Sequence, residues 1–279
     1  MSSISLLIGL IAVLFVQNTL VIAQTAEKDE LLKGMNFIKT QIYTDEENES
    51  ILKLYKELRV SDVSDGMDMV GLPGTGLVDK SIHPAWIDQD SLTHRFCGIA
   101  ITVRYVPTQR LDRPEPDEDF SKWESSWYGN FSSEIFTSII KHGNVIVIDD
   151  VEEADIGTIG SNNIMGWYSR GAVGVVTDGS ARDTDEIAKE KVPLYLRSVG
   201  RGIRPGRNDL ESVNRPVVIG GVLICPGDVI VADGDGVIVV PRRVAEKVAI
   251  YARNILDSDK NARRKLYEKL AKPLDKTVK

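Results

Sequence analysis

Residues Gly171 to Glu186 read GAVGVVTDGSARDTDE. Ala172–Thr177 is an unbroken run of small and β-branched residues, the pattern of a strand buried on both faces. Asp178-Gly179 interrupts it. Asp183, Asp185 and Glu186 then stand where a helix start favours acidic side chains. A buried strand that passes through a glycine turn into a helix is half of a βαβ unit. Ligands in α/β folds gather at the carboxyl ends of such strands.

Working outward, the pattern repeats. Val145–Ile148 reads as a buried strand, and Ser161–Arg170 as a helix closed by Gly171. Asp185–Lys191 reads as a helix and Pro193–Val199 as the next strand. Val217–Cys225, Asp228–Ala232 and Gly236–Val240 read as strands, the first two separated by Pro226-Gly227. Pro241 suits the first turn of a helix running to Lys269, with a break near residues 257–259. Upstream, Phe96–Val106 reads as a strand and 133–141 as a helix. A helix over Val63–Val70 has Ser61 or Asp62 as its cap and Gly71 as its end. Residues 28–60 read as helical, with Ile51, Leu54, Tyr55 and Leu58 at helical spacing. Residues 107–128, rich in Pro and charge, read as a surface loop. The expectation is one mixed α/β domain with a mixed sheet and terminal helices, and no internal repeat.

The chain has 279 residues, 34 basic and 41 acidic, for a net charge of −7. That acidity argues against a general nucleic-acid binder, whose affinity comes from phosphate neutralisation. Two cysteines cannot make a disulfide framework or a cysteine-rich zinc site. Cys97 and Cys225 read as buried free thiols, with a disulfide possible only after export. Ile4 to Val16 is uninterruptedly apolar, and Val21-Ile22-Ala23 has small residues at the places a secretory cleavage site requires. Residues 1–23 are therefore expected to be a signal peptide, with an uncleaved anchor as the alternative. That makes the protein exported, touching a membrane only through this segment.

The chemistry-bearing cluster lies in the opening stretch. Arg182 and four carboxylates, Asp178, Asp183, Asp185 and Glu186, fall within nine residues. Arg182 can grip a carboxylate or enolate oxygen with a planar fork. Asp183 can hold a hard divalent cation. Helix capping accounts for Asp185 and Glu186 but leaves Arg182 unexplained. A second element, Gly160, Ser161, Asn162 and Asn163, lies at a helix start, where free backbone amides form an anion site. Taken alone, simple capping by Ser161 or Asn162 is the better account of it. Arg197, Arg201, Arg204 and Arg207 crowd a Gly/Pro loop, where they receive carboxylates or pair across a subunit interface. His83, His94 and His142 lack metal-ligand spacing.

These residues resemble the RraA-like family, which includes 4-hydroxy-4-methyl-2-oxoglutarate aldolases and the RraA regulator of ribonuclease E. The likeness runs from about Val63 to Val248. It includes Val63-Ser64-Asp65-Gly66-Met67-Asp68, Ala100 through Arg104, Gly171 through Glu186, Pro226-Gly227-Asp228 and Ala232 through Pro241. The resemblance implies a swivelling α/β/α fold over residues 61–248, with a helical extension at 24–60, an insertion at 107–128 and a second helical extension at 249–279. It implies a homo-trimer or hexamer with sites between subunits.

By the same resemblance, Arg182-Asp183 binds the pyruvate moiety and a divalent metal, Mg²⁺ or Mn²⁺, with Asp183 as metal ligand. The amides of Gly160, Ser161, Asn162 and Asn163 receive the substrate carboxylate. Aldolase members usually carry an acidic residue where this chain has Ser161. The implied activity is metal-dependent cleavage of a 4-hydroxy-2-oxo acid to pyruvate, or oxaloacetate decarboxylation. Two alternatives stand beside it: a non-catalytic regulator like RraA, and a sugar-acid-processing enzyme such as a dehydratase. The expected partner is a small anionic oxo acid or sugar acid.

Overall fold

The computed structural model describes residues 28–111, 113–114, 119–151 and 155–279. The signal segment expected over residues 1–23 lies outside the described residues. The chain forms two units, residues 1–39 and 40–279. In the first, the described part contains helix α1 (Lys28–Lys33). Among the described residues, no helix is long and apolar enough to cross a membrane.

The second unit opens with α2 (Asp45–Tyr55) and α3 (Val60–Met69). Thr44 caps α2 by accepting the Glu47 N–H, and Glu47 answers by accepting the Thr44 N–H. Asp62 does not cap α3 from in front. It sits one turn inside and accepts the Arg59 N–H and Nε–H at 3.0 and 2.9 Å. Gly71 follows at φ +80°, as its place behind a helix predicts.

The strands are β1 (His83–Pro84), β2 (Phe96–Pro107), β3 (Asn144–Asp149), β4 (Gly157–Ile159), β5 (Ala172–Thr177), β6 (Ser180–Ala181), β7 (Leu194–Leu196) and β8 (Ser198–Val199). They continue with β9 (Asn208–Val213), β10 (Val217–Ile219), β11 (Val222–Ile224), β12 (Val229–Asp233) and β13 (Gly236–Val240). Helices α4 (Phe120–Asn130), α5 (Ser161–Ser169), α6 (Thr184–Glu190) and α7 (Ala245–Lys269) complete the set. The main sheet runs β1-β7-β5-β3-β2-β12-β13, with β9 also on β2. Pairs β2–β3, β3–β5 and β5–β7 are parallel, and the flanking pairs antiparallel. Every side chain of Val145–Ile148 is fully buried, which is why the run lacks polar alternation.

Each parallel strand of the centre then breaks and resumes. After β3, β5 and β7 the chain re-forms as β4, β6 and β8, a small parallel sheet of its own. The expected strand Pro193–Val199 is thus two strands that part at Arg197. The expected strand Val217–Cys225 is a hairpin, because Gly220 and Gly221 adopt φ +50° and +79° between β10 and β11. The helix after Pro241 begins as a 3₁₀ turn and α7 then runs unbroken to Lys269, since Asp257 and Asp259 lie on its surface. The stretch read as a loop holds α4. Asp119 caps it through the Ser121 and Lys122 N–H groups, and Trp127 is buried within it. Residues Ile135–Ile139 form only a 3₁₀ turn of the expected helix.

Two aspartates of the glycine-rich turns have structural work. Asp228 accepts the Cys225 and Arg242 N–H groups at 2.8 and 2.9 Å, and Asp233 accepts the Val60 N–H at 3.0 Å. Cys97 and Cys225 are free thiols, and burial pushes both above the ordinary thiol range.

Candidate active site

The small sheet positions the site. The chain leaves β4 at Gly160 and enters α5, and it leaves β6 at Arg182-Asp183 and enters α6. Since β4 and β6 are parallel neighbours, the two exits lie side by side. Their proximity is tight. A Cβ on Gly157 would fall 2.6 Å from Arg182 Cβ, and one on Gly160 would fall 2.9 Å from Asp183 Oδ2. At Gly157 the stem of Arg182 already fills the space; at Gly160 the neighbour is the end of the Asp183 carboxylate, which would have to shift.

Asp183 adopts a left-handed backbone, φ +56° and ψ +38°, which aspartate tolerates better than most residues. That turn aims its carboxylate back at α5. Asp183 Oδ2 accepts the Ser161 N–H at 3.2 Å and lies 3.8 Å from Arg182 Nε. Both side chains are about two-fifths exposed, at 38% and 40%. The pair is therefore open to solvent and not a closed structural ion pair.

The expected anion seat is partly engaged. The Gly160 N–H goes to Asn163 Oδ1 at 3.1 Å, and the Ser161 N–H to Asp183. Gly160 has no side chain with which to cap α5, so the Asn162 and Asn163 amides remain for an incoming anion. Asn163 is itself held. Its Nδ2 donates to Glu134 Oε1 at 2.5 Å, while Trp167 Nε1 donates to Glu134 Oε2 at 2.8 Å. Glu134 also pairs with Arg204. Arg204 is buried, and its Nη1 donates to Tyr105 Oη at 2.8 Å and to the Ser132 carbonyl at 3.1 Å.

The arginines of the loop all have partners within the chain, though Arg201 and Arg207 are exposed. Arg201 pairs with Asp155, Arg197 donates to the Asp178 carbonyl and to Ser81, and Arg207 donates to the Ile203 carbonyl. Of the five arginines from 182 to 207, Arg182 is the one that faces the open site beside a carboxylate and a helix start. Behind the site lies a buried polar knot. Asn208 Nδ2 donates to Asp150 Oδ1 and to Thr158 Oγ1, each at 3.1 Å. Asp150 Oδ2 is buried with no partner. Burial pushes the Asp150 carboxyl above its ordinary range, against hydrogen bonds from Thr158 and Asn208.

Among the described residues, no three His, Cys, Asp or Glu side chains converge as a metal cluster. Asp183 is the exposed carboxylate at the site, and no carboxylate neighbours it from α5, where Ser161 stands. A hard cation such as Mg²⁺ keeps several waters and takes one or two carboxylates plus substrate oxygens. The donor set fits that minimum and nothing richer.

Glu134 and Arg204 as supports of α5 escaped the sequence reading, because 70 residues separate them. A cavity of about 1350 Å³ lies elsewhere. It lies at the amino ends of the parallel strands, among Leu52, Tyr55, Leu58, Cys97, Asn144 and Leu256. The chemistry-bearing side chains are at the opposite ends of these strands.

Comparison with known proteins supports the likeness. Protein DlpA of Legionella pneumophila is 28% identical over 190 residues, covering 67% of this chain and 27% of that protein. A Halalkalibacterium halodurans protein, named "Putative 4-hydroxy-4-methyl-2-oxoglutarate aldolase", is 35% identical over 107 residues, 38% of this chain and 50% of its own. The chain therefore spans half or less of the length of these two curated relatives. The fold matches Streptomyces coelicolor RraAS2, described as an unusual member of the RNase ES inhibitor RraA protein family. Its TM-score is 0.61 at 19% identity, over 81% of this chain and 99% of that one. The profile of the RraA-like family, described as Aldolase/RraA, matches residues 60–239, and the chain belongs to that family.

Proposed function

We propose that this chain is a lyase that cleaves a 4-hydroxy-2-oxo acid to pyruvate, or decarboxylates oxaloacetate, at Arg182 and Asp183. The observation that carries this reading is the open Arg182–Asp183 pair set against the start of α5, where the Asn162 and Asn163 amides have no side-chain cap. The aldolase names among its relatives agree with it. Arg182 offers the unpaired side of its guanidinium to the substrate's 1-carboxylate or 2-oxo oxygen. The Asn162 and Asn163 amides take a carboxylate oxygen at the positive end of the α5 dipole.

In the retro-aldol reaction the C3–C4 bond breaks and its electron pair stays with C3 as the pyruvate enolate. The 4-hydroxyl loses its proton and becomes the carbonyl of the departing fragment. C3 then takes a proton to give pyruvate. Oxaloacetate reaches the same enolate by losing CO₂. The task of Arg182 is to stabilise the enolate oxygen where charge develops. A Mg²⁺ or Mn²⁺ held by Asp183 would supply Lewis-acid polarisation of the 2-oxo group. The reading includes assembly as a trimer or hexamer and export through residues 1–23.

The test is pyruvate release, followed by NADH loss with lactate dehydrogenase, from oxaloacetate and a panel of 4-hydroxy-2-oxo acids with Mg²⁺ or Mn²⁺. Asp183→Asn preserves the left-handed backbone and is expected to lower kcat/KM at least ~100-fold, since it removes charge where the transition state needs it. No release from any of the acids, with Asp183→Asn binding metal as the wild type does, overturns the proposal.

A further inference from the structure

The start of α5 carries half of a capping box. In a complete box the residue before the helix accepts an N–H of the first turn, and the third helical residue answers by accepting the N–H of the first. The answer is present, since Asn163 Oδ1 accepts the Gly160 N–H at 3.1 Å. The other half is missing because Gly160 has no side chain, and the Asn162 and Asn163 amides are left for a carboxylate. The order of this turn therefore rests on which way the Asn163 amide faces. The Gly160 N–H only donates, and the Glu134 carboxylate only accepts. With Asn163 Nδ2 donating to Glu134 Oε1 at 2.5 Å, its oxygen is fixed toward Gly160. The reversed amide would set donor against donor at Gly160.

Glu134 is itself pinned. Its carbonyl accepts the Thr137 N–H at 3.0 Å and the Thr137 hydroxyl at 2.8 Å, so the Ile135–Ile139 turn holds its backbone. Oε1 also takes Arg204, and Oε2 takes the Trp167 indole at 2.8 Å. The Trp167 ring meets Phe136 edge-on, with 5.4 Å between centres. Arg182 and Asp183 are not among the hydrogen-bond partners of the Glu134 side chain.

We propose that Glu134 is a positioning residue: by fixing the Asn163 amide it keeps the first turn of α5 ordered for the substrate carboxylate, so it governs substrate grip and not bond breaking. The proposal rests on the lyase reading for its substrate and adds the group that holds the seat. Without an acceptor at Glu134, the Asn163 amide is free to leave the Gly160 N–H, and the turn loses the bond that closes it. The Asn162 and Asn163 amides then have to be ordered when the carboxylate arrives, which lowers affinity. The seated carboxylate keeps its charge while the C3–C4 bond breaks. The loss therefore falls equally on bound substrate and transition state, which raises KM and leaves kcat in place.

The experiment compares Glu134→Gln with Glu134→Met. Both remove the charge that Arg204 meets, but glutamine keeps an oxygen for Asn163 Nδ2 and methionine offers no acceptor of comparable strength. Asn163→Leu removes the amide with Glu134 and Arg204 in place, and serves if the methionine variant does not fold. Trp167→Phe removes the Oε2 bond and leaves Asn163 on Oε1. The dissociation constant of pyruvate is measured by calorimetry with Mg²⁺, and KM and kcat for the cleaved acid, all well below each melting temperature. Glu134→Met and Asn163→Leu are expected to raise the dissociation constant and KM about tenfold, the scale of one hydrogen bond to a charged group, with kcat within about twofold. Glu134→Gln should stay within about threefold of the wild type. Unchanged affinity in Asn163→Leu, or a fall in kcat with KM unchanged, overturns the positioning role and leaves the lyase reading intact. Trp167→Phe weakening pyruvate as much as Glu134→Met also overturns it, since the effect is then only the stability of α5. The expected binding pattern without cleavage of any acid by the wild type supports the positioning role and overturns the lyase reading. A wild type that does not bind pyruvate overturns both.

Discussion

Glu134→Ala tests how the start of α5 is held. Glu134 Oε1 takes Asn163 and Arg204, and its Oε2 takes the Trp167 indole. The Arg204 side chain is 4% exposed and that of Glu134 21%. Removing one partner of a buried pair leaves a charge without compensation and costs ~3–5 kcal/mol. Water can reach the space Glu134 leaves, so the lower end applies, ~3 kcal/mol. For a unit of 240 residues, each kcal/mol moves Tm by ~2–4 °C, so a loss of about 6–12 °C is expected. Calorimetric melts of Glu134→Ala, Arg204→Met and the double variant complete a cycle. Methionine fills the volume of Arg204 without its charge, so the double variant should lose less than the two singles together, by about 2 kcal/mol. A Tm loss under 2 °C, or a coupling near zero, refutes the reasoning.

Other substitutions separate the remaining contributions. Gly157→Ala puts a methyl group 2.6 Å from Arg182 Cβ, so the stem of Arg182 must move. About 1–3 kcal/mol of stability should be lost, and pyruvate affinity should fall with it; a stable variant with unchanged affinity contradicts the packing. Asp150 has a raised carboxyl pKa, so its contribution is complete below the ordinary value, ~4, and is lost as pH rises through the folded-state value. Asp150→Asn should therefore gain on the wild type as pH rises from 4 to 7 in urea titrations. A constant gap between the two curves would show that burial does not raise Asp150.

How much the sequence disclosed follows from what each element rests on. The strands β3, β5, β12 and β13 are runs of mostly small and β-branched residues, legible because both faces are largely buried. Strand β9, Asn-Asp-Leu-Glu-Ser-Val, has poor strand propensity and was not expected. It forms because β2 is 12 residues long and extends past its pairing with β12, leaving edge groups that β9 satisfies. The α4 signal was present but diluted: Asp119 as a cap, then Phe120, Trp123 and Trp127 at helical spacing, inside a Pro- and charge-rich flank. Arg182-Asp183 was readable as a pair because its members are adjacent. The Arg204–Glu134 support was not, because only the folded chain brings β9's approach loop to the turn before β3. The arginine cluster left a carboxylate receptor and pairing across a subunit interface equally open, because composition counts charges without their partners.

The cavity at the far end of the sheet bears on how ligands for this protein are sought. Its lining mixes Leu52, Tyr55 and Leu256 with charged groups such as Arg59, Arg95 and Asp233, whereas the reacting groups are at the other ends of the strands. A compound that binds there at 100 times its Kd raises stability by ~2.7 kcal/mol without touching Arg182. Thermal-shift screening would rank such compounds beside true competitors of the oxo acid. Displacement of pyruvate distinguishes the two sets, so competition is the readout that should order any inhibitor series.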